Sequence, residues 1–265
     1  MQPSHKTILN IISNSSRWRS IIFSIFLLVS PTIYGKSIFS RYEKVNAFQV
    51  LAGGYFQTNI RVNNLEPYFD KDPVRAFFPY ARIKVGKFSI TPDYARFVIF
   101  NHPLTKLDLR LSYKGHPYNA EGMAIRHKTI YAGIGLRILM IKLEALKDIS
   151  GISNAGIYSI AGVIPIPLGK YGIITLQAEV EYWDGKYVDY YFGVRENEVT
   201  PTRPYYKGNW AKDYNFKIMG QFFLSKHWII RATPAFRYYD QTIYNSPTVS
   251  KQREYSLLLG LGYQL

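Results

Sequence analysis

Histidine is the residue type that comes closest to site chemistry in this 265-residue sequence, which contains five histidines and no cysteine. Without cysteine there can be no thiolate nucleophile, thiolate metal site or disulfide framework. His5, His102, His116, His127 and His227 show no metal-binding spacing, and none has a serine or carboxylate at a recognisable catalytic offset. The sequence therefore predicts no catalytic residue, no metal and no cofactor, although a site assembled from distant loops would leave no motif.

Two glycine pairs could suggest phosphate loops, Gly133 with Gly135 and Gly260 with Gly262. A phosphate loop needs a helix directly after it, and neither pair has one. Glycine on the crowded inner wall of a barrel is the better interpretation.

Charged side chains are numerous, with a formal net charge of +15 at pH 7. They alternate with apolar residues along extended segments and do not form one patch, so nucleic acid is not a predicted partner. If the polar faces point inward, they form a mainly basic interior that favours anions. The candidate interior charges are Arg82, Lys84, Lys106, Asp108, Arg110, Arg137, Glu179, Glu181, Lys217, Arg231 and Arg237.

The elements that carry these charges have a hydrophobic period of two, which is typical of strands. In the segment 171–183, for example, Leu176, Ala178 and Val180 alternate with Gln177 and Glu179. Most segments reach the ~9–11 residues that a tilted strand needs to cross a membrane. The predicted strands are 46–61, 75–86, 94–101, 104–113, 128–138, 140–149, 157–165, 171–183, 187–194, 214–224, 227–239 and 253–265.

A soluble sandwich and a closed barrel in lipid both fit such strands. Aromatic residues at strand ends favour lipid, because they form girdles at membrane interfaces. The residues of this kind are Tyr113, Tyr182, Trp183, Trp228, Tyr238, Tyr255 and Tyr263. The sequence predicts an all-β fold, a single transmembrane antiparallel barrel of about 12 strands with up-and-down topology and 10–14 as the range.

The first 35 residues have the pattern of a secretory signal peptide. A basic segment precedes the apolar run Ile21 to Ser30, and small residues follow at Gly35 and Ser37. We predict cleavage near 35–37 and a barrel over 36–265 in the outer membrane of a Gram-negative cell.

Three segments carry a family resemblance: DYYFGVRENEV from Asp189, RPYYKG from Arg203, and YNSPTVSKQREYSLLLGLGY from Tyr244. They are similar to the MipA/OmpV family of outer-membrane proteins. The residues that match the family's motifs are Tyr190, Tyr191, Gly193, Val194, Glu198, Arg203, Tyr206, Ser246 and Pro247. The final GLGYQL resembles the signal that the outer-membrane assembly machinery reads, with Gly260, Tyr263 and Leu265 as its residues, although Leu265 stands where phenylalanine is usual.

The resemblance implies a non-enzymatic barrel that acts as a scaffold for peptidoglycan-remodelling enzymes, with a murein hydrolase or synthase complex as partner. The alternative is a small channel with a basic lumen for anionic or polar solutes. Outer-membrane lipid, lipopolysaccharide and the assembly machinery are the other expected partners. The Tyr-Tyr-x-Gly-Val segment is either a binding site or a strand end that packs against the wall.

With both termini in the periplasm, the predicted strands fix the side of each connection. The external connections would be 62–74, 101–103, 139, 166–170, 195–213 and 240–252. The long connection 114–126 would be periplasmic, which conflicts with the usual short periplasmic turns. Twelve strands predict a narrow or partly plugged lumen.

Overall fold

The strands of the computed structural model, which describes residues 46–65 and 72–265, close into a twelve-stranded antiparallel barrel. The predicted signal peptide and its cleavage site lie outside the described residues. The strands are β1 Asn46–Gln57, β2 Val74–Val85, β3 Phe88–Ile90, β4 Tyr94–Asn101, β5 Thr105–Lys114, β6 Thr129–Ile138, β7 Ile141–Asp148, β8 Gly156–Pro167, β9 Gly172–Trp183, β10 Ala211–Phe223, β11 Trp228–Tyr239 and β12 Arg253–Gln264.

In the described part of the chain, two short helices, α1 Gly185–Phe192 and α2 Gln241–Tyr244, lie between strands, with 3₁₀ turns at Gly169–Tyr171 and Glu196–Glu198. Within the described ranges, no helix is both long and apolar enough to cross a membrane.

The barrel closes where the first and last strands pair. β1 runs antiparallel to β12 from Gln49 opposite Gln264 to Gln57 opposite Ser256. Every other strand pairs with its sequence neighbours, so the topology is up-and-down. Closure satisfies the backbone groups at what would otherwise be two sheet edges, which lipid requires. The predicted fold class is confirmed.

The alternation of residue types sorts the side chains between lipid and lumen. In β9 the exposed Leu176 and Tyr182 face outward, while Glu179 and Glu181 are buried on the inner face. The strands have charged residues among their outward positions only at the ends of four of them: Arg75, Lys147, Lys212 and Arg253. All four are basic, and all lie at the same end of the barrel.

That end also carries the long connections, and we call it the long-loop end. Its long connections are 58–73, 115–128, 149–155, 184–210 and 240–252, and the short turn 91–93 between β3 and β4 is on the same side. The opposite, short-turn end holds the turns 86–87, 102–104, 139–140, 168–171 and 224–227. The start of β1 and the end of β12 also lie there. Long loops on one side and short turns on the other are typical of outer-membrane barrels.

The strand count was predicted correctly, but two errors compensate for each other. The segment predicted as the strand 187–194 is the helix α1, and the three-residue β3 was missed. Between these two errors every connection was assigned to the wrong side. The turns near 101–103, 139 and 166–170 therefore lie at the short-turn end, and 114–126 lies among the long loops.

β3 is short enough to leave a local irregularity in the wall. It pairs with β2 only at Ile83, Lys84 and Val85. On this side, the rest of β2 has no paired strand in the described part of the chain. Pro79 lies in that stretch, as expected for a residue without a backbone N–H, which is confined to strand edges.

The hydrophobic core of the molecule lies inside the barrel, at the long-loop end. Trp183 is its largest fully buried member, and Tyr239 packs beside it with ring centroids 6.0 Å apart. Trp183 was predicted to face the membrane interface, and that assignment is wrong: the residue occupies an inward position of β9. The core includes Ile60, Tyr131, Leu146, Ile157, Trp183, Tyr187, Val188, Tyr191, Phe192, Tyr239, Ile243 and Val249.

Candidate functional site

The helix α1 begins the structure that covers the barrel interior. Asp184 caps it by accepting a hydrogen bond from the Tyr187 backbone N–H at 2.9 Å, and its second oxygen accepts from Gly156 N–H at 2.7 Å. Four residues at helical spacing, Tyr187, Val188, Tyr191 and Phe192, are buried. This face packs into the hydrophobic core, so α1 lies across the long-loop end of the lumen.

The motif residues of the sequence resemblance come together around α1. Ser246 donates a hydrogen bond to the carbonyl oxygen of Phe192 at 2.6 Å. Val194 and Tyr206 form a two-way backbone pair at 2.8 and 3.1 Å. Tyr190 accepts a hydrogen bond from His127 N–H at 3.1 Å. We name α1, α2 and the connections 115–128, 184–210 and 240–252, together with 58–65, the loop cap.

Pro247 and Gly193 complete the motif, the first in the α2–β12 connection and the second at the C-cap of α1. A side chain on Gly193 would have its Cβ 2.2 Å from the carbonyl oxygen of Asp189, so this position has no room for one. The motif thus builds the cap.

A buried ion pair holds two loops of the cap together. Arg126 donates to both carboxylate oxygens of Glu198, at 2.9 and 2.8 Å, and the two side chains are 1% and 2% exposed. Glu198 also accepts backbone N–H bonds from Ala124 and Arg195, which lower its pKa despite burial. Arg203 donates to the backbone oxygens of Glu198 and Glu121 at 3.0 and 3.1 Å.

Arg61 connects three segments of the cap from its centre. It donates to the Thr248 hydroxyl and to the carbonyl of Tyr191, both at 2.8 Å. Its guanidinium lies 4.0 Å from the centroid of the Phe192 ring and 4.8 Å from that of Tyr118. Burial lowers its pKa to about 10, which leaves the group charged at neutral pH.

His116 lies beneath α1, in contact with Trp183 and Phe192 at centroid distances of 4.9 and 5.2 Å. Its Nε2 accepts from Arg237 at 3.4 Å, so Nδ1 carries the proton and donates to the Tyr187 hydroxyl at 2.9 Å. Burial holds the pKa of His116 well below its ordinary value. The imidazole is therefore neutral.

Acidification is expected to open the cap. A histidine in the unfolded chain takes up a proton near pH 6.5, whereas the buried His116 stays neutral to lower pH. The free energy of unfolding therefore falls as the pH drops below about 6.5, by up to ~1.4 kcal/mol per pH unit. Protease sensitivity of the 184–210 connection should rise between pH 7 and 5, and His116→Gln should flatten this rise. The same pH profile in both proteins would contradict the role of His116. Charged or titratable groups facing His116 are Arg61, Lys128, Glu181, Tyr187, Tyr191, Arg237 and Tyr239.

A belt of ion pairs lines one side of the lumen below the cap. Lys114 bridges Glu181 and Glu144 at 2.7 and 3.7 Å. Arg237 lies 3.2 Å from the fully buried carboxylate of Asp213. The remaining contacts of the belt are Arg110 with Asp108 and Glu144, Lys142 with Glu144 and Glu179, and Lys217 with Glu179.

Gly135 explains how the belt crosses β6. Arg110 on β5 reaches over this strand to Glu144 on β7, and Gly135 is opposite both Asp108 and Glu144 in the register. A Cβ on Gly135 would lie 2.4 Å from the Arg110 Nε. The glycine makes room for the guanidinium on the inner wall.

The other predicted interior charges lie nearer the short-turn end. Arg231 donates to the side-chain oxygens of Gln49 and Gln221 at 3.0 and 3.1 Å. Arg82 is opposite Gln49 in the register. Lys84, Lys106 and Arg137 occupy inward positions close to the turns, with Arg137 exposed.

The residues proposed as the assembly signal lie on β12 or directly after it. Gly260 faces inward opposite Arg231, and Tyr263 faces outward against Trp228 at a centroid distance of 5.4 Å. Leu265 is 60% exposed. Their role in assembly stays a prediction.

A cavity of about 460 Å³ lies between the cap and the barrel wall. Arg61 and His116 lie on its cap side, and Lys217, Arg237 and Glu254 lie on its wall side. The loop cap and its hydrophobic core therefore lie across the long-loop end of the interior, and charged side chains line the interior below.

Sequence reasoning missed Arg61, His116, Arg126 and Asp213. Arg126 gives no local signal, because its partner lies 72 residues away. A signal for α1 was present: after the capping aspartate, the buried residues Tyr187, Val188, Tyr191 and Phe192 have the helical spacing i, i+1, i+4, i+5.

No curated protein sequence matches the chain. Among solved structures, the NanC porin aligns at 10% identity over 82% of this chain and 100% of its own, with a TM-score of 0.39. An anion-selective porin from Comamonas acidovorans aligns at 14% identity over 82% of this chain and 74% of its own, with a TM-score of 0.33. An outer-membrane channel from Pseudomonas putida F1 aligns at 11% identity over 83% of this chain and 95% of its own, with a TM-score of 0.36.

The family comparison is more specific. The family model described as MltA-interacting protein MipA matches residues 50–265, which covers the barrel except the first four residues of β1 and includes every motif residue of the cap. The chain belongs to the MipA family of outer-membrane β-barrel proteins.

Proposed function

We propose that this barrel is a non-enzymatic scaffold that holds a peptidoglycan-remodelling enzyme at the outer membrane. The family description names an interaction with MltA. The observation that carries the proposal is the position of the family motif: its residues build the loop cap, whose hydrophobic core lies across the long-loop end of the barrel interior. A barrel with a cap across its lumen is better suited to binding a partner on its outer surface than to passing solutes. A cap across the long-loop end favours this role over the small-channel alternative.

The short-turn end is the face that a periplasmic enzyme would meet, because short turns are periplasmic in bacterial barrels. In the described part of the chain, the turns at this end contain no acidic residue. They carry the exposed cations Lys87, Lys170 and Lys226, with His102 and His227 beside them. A basic face of this kind favours an acidic partner surface.

A photo-crosslinker at Lys170 in intact envelopes is expected to capture a murein hydrolase or synthase. The charge test places the crosslinker at Leu139, so that all three lysines can be changed. With the crosslinker there, the triple change Lys87→Glu, Lys170→Glu and Lys226→Glu should reduce capture by about tenfold compared with the protein that keeps its lysines. The reason is that like charges repel across an interface. A crosslinker at Ile152, exposed at the long-loop end, is the matched control. Equal capture from Ile152 and Lys170, or none from Lys170, would contradict the scaffold.

Contacts with outer-membrane lipid and lipopolysaccharide stay a prediction. It is supported by the position of Arg75, Lys147, Lys212 and Arg253, the cations at the lipid-facing strand ends of the long-loop side. Basic side chains at this level match lipid phosphate groups.

A further inference from the structure

Three arginines on the inner wall form a group without the acidic partners that the belt has. Arg82 on β2, Arg96 on β4 and Arg231 on β11 all face the lumen. Ser89 on β3 is directly opposite Arg96 on one side and Lys84 on the other, and Arg82 is the next inward residue of β2 after Lys84. Gln49 is opposite Arg82 and accepts a hydrogen bond from Arg231 at 3.0 Å. We call these three arginines the lower arginine cluster.

The cluster contains hydrogen-bond donors with no acceptor. The Nε of Arg82, the Nε of Arg96 and the hydroxyl of Ser89 are buried and make no hydrogen bond to described residues. Ser89 is 1% exposed. Buried donors are almost always satisfied in folded proteins, so three unsatisfied donors on neighbouring strands indicate a missing acceptor.

The lack of acidic partners for the three arginines also indicates a missing acceptor. Among the described residues, none of the three guanidinium groups of the cluster forms an ion pair within 4.0 Å. The nearby Asp108 is already bound by Arg110, whose Nε lies 2.5 Å from its Oδ1. The acceptors that Arg231 has among the described residues are neutral: the amide oxygens of Gln49 and Gln221 and the hydroxyl of Tyr80. Clustered positive charge in a lumen with low-dielectric walls attracts anions.

We propose that the lower arginine cluster binds an oxyanion of the phosphate or carboxylate class, which enters from the short-turn end. The planar guanidinium fork matches two oxygens of such a group, and the Ser89 hydroxyl supplies one further donor. Arg231 is held over the Tyr80 ring, with its Cζ 5.9 Å from the centroid, which orients its fork. The site goes beyond the scaffold function, and it does not require the lumen to conduct.

The test uses the purified, folded chain in detergent with inorganic phosphate as the probe. Phosphate should raise the thermal unfolding midpoint saturably, whereas chloride at matched ionic strength should not. Arg96→Gln should weaken the apparent phosphate affinity by about tenfold, and Arg96→Lys, which keeps the charge but loses the fork, by less. Lys170→Gln removes a cation from an exposed turn and is the matched control.

Ser89→Ala provides a second variant in case the arginine changes impair folding, and it should weaken phosphate binding about two- to fivefold. Titration with a sugar phosphate and with acetate then distinguishes a phosphate site from a carboxylate site. The proposal is overturned if chloride reproduces the phosphate shift, or if Arg96→Gln and Ser89→Ala both keep the wild-type affinity. Without phosphate, Arg96→Gln should not lower the midpoint, because it relieves repulsion between like charges.

Discussion

Replacement of Arg126 by methionine is expected to destabilise the loop cap by about 3–5 kcal/mol, the largest effect of any single change considered. The change leaves the Glu198 carboxylate buried, with its backbone donors but without its cation. Proteolysis of the 184–210 connection should become faster, while the barrel below still migrates as a folded species in unheated gels.

The double change Arg126→Met with Glu198→Leu is the informative companion. Replacing both members of a buried pair by apolar residues is often neutral, so the double variant should recover most of the lost stability. Arg195→Met, at an exposed position in the same connection, should have little effect. If Arg126→Met left the cap as protease-resistant as the wild type, the ion pair would not hold it.

Leu176→Arg is expected to lower the free energy of unfolding by about 2–4 kcal/mol, because it exposes a cation to the hydrocarbon. Leu176 faces outward, between Ile218 and Ile164 in the neighbouring strands. Equilibrium unfolding in urea with the barrel in lipid vesicles would measure the loss.

Gln177→Arg is the matched control one residue away. Gln177 faces the lumen and donates to Glu179 at 3.0 Å, so an arginine there gains an acidic partner. Its stability should remain near that of the wild type. Equal losses for the two variants would mean that the strand faces are assigned the wrong way round.

The barrel was predictable because its signal is local. Alternation along a strand such as β9 identifies both the strand and its lipid face without knowledge of its partners. β3 escaped because its three residues, Phe88 to Ile90, are too few to display alternation. The segment 187–194 was misread as a strand because it is short, although Asp184 caps it and its buried residues have helical spacing.

The cap was not predictable, because its contacts join residues that are distant in the sequence. Arg61 meets Thr248 at a separation of 187 residues and Tyr191 at a separation of 130. A periodic pattern in the sequence does not reveal contacts between residues so far apart. The family motif did identify several of the residues concerned, Ser246 and Glu198 among them, but it could not indicate that they form one buried cluster.

The shortness of β3 determines where the barrel wall opens locally. Local opening of a protein begins where backbone hydrogen bonds are few. β3 holds β2 only between Ile83 and Val85, whereas β1 and β12 are joined from Gln49 to Gln57. Separation of neighbouring strands is therefore expected to start beside β3, while β1 and β12 stay paired.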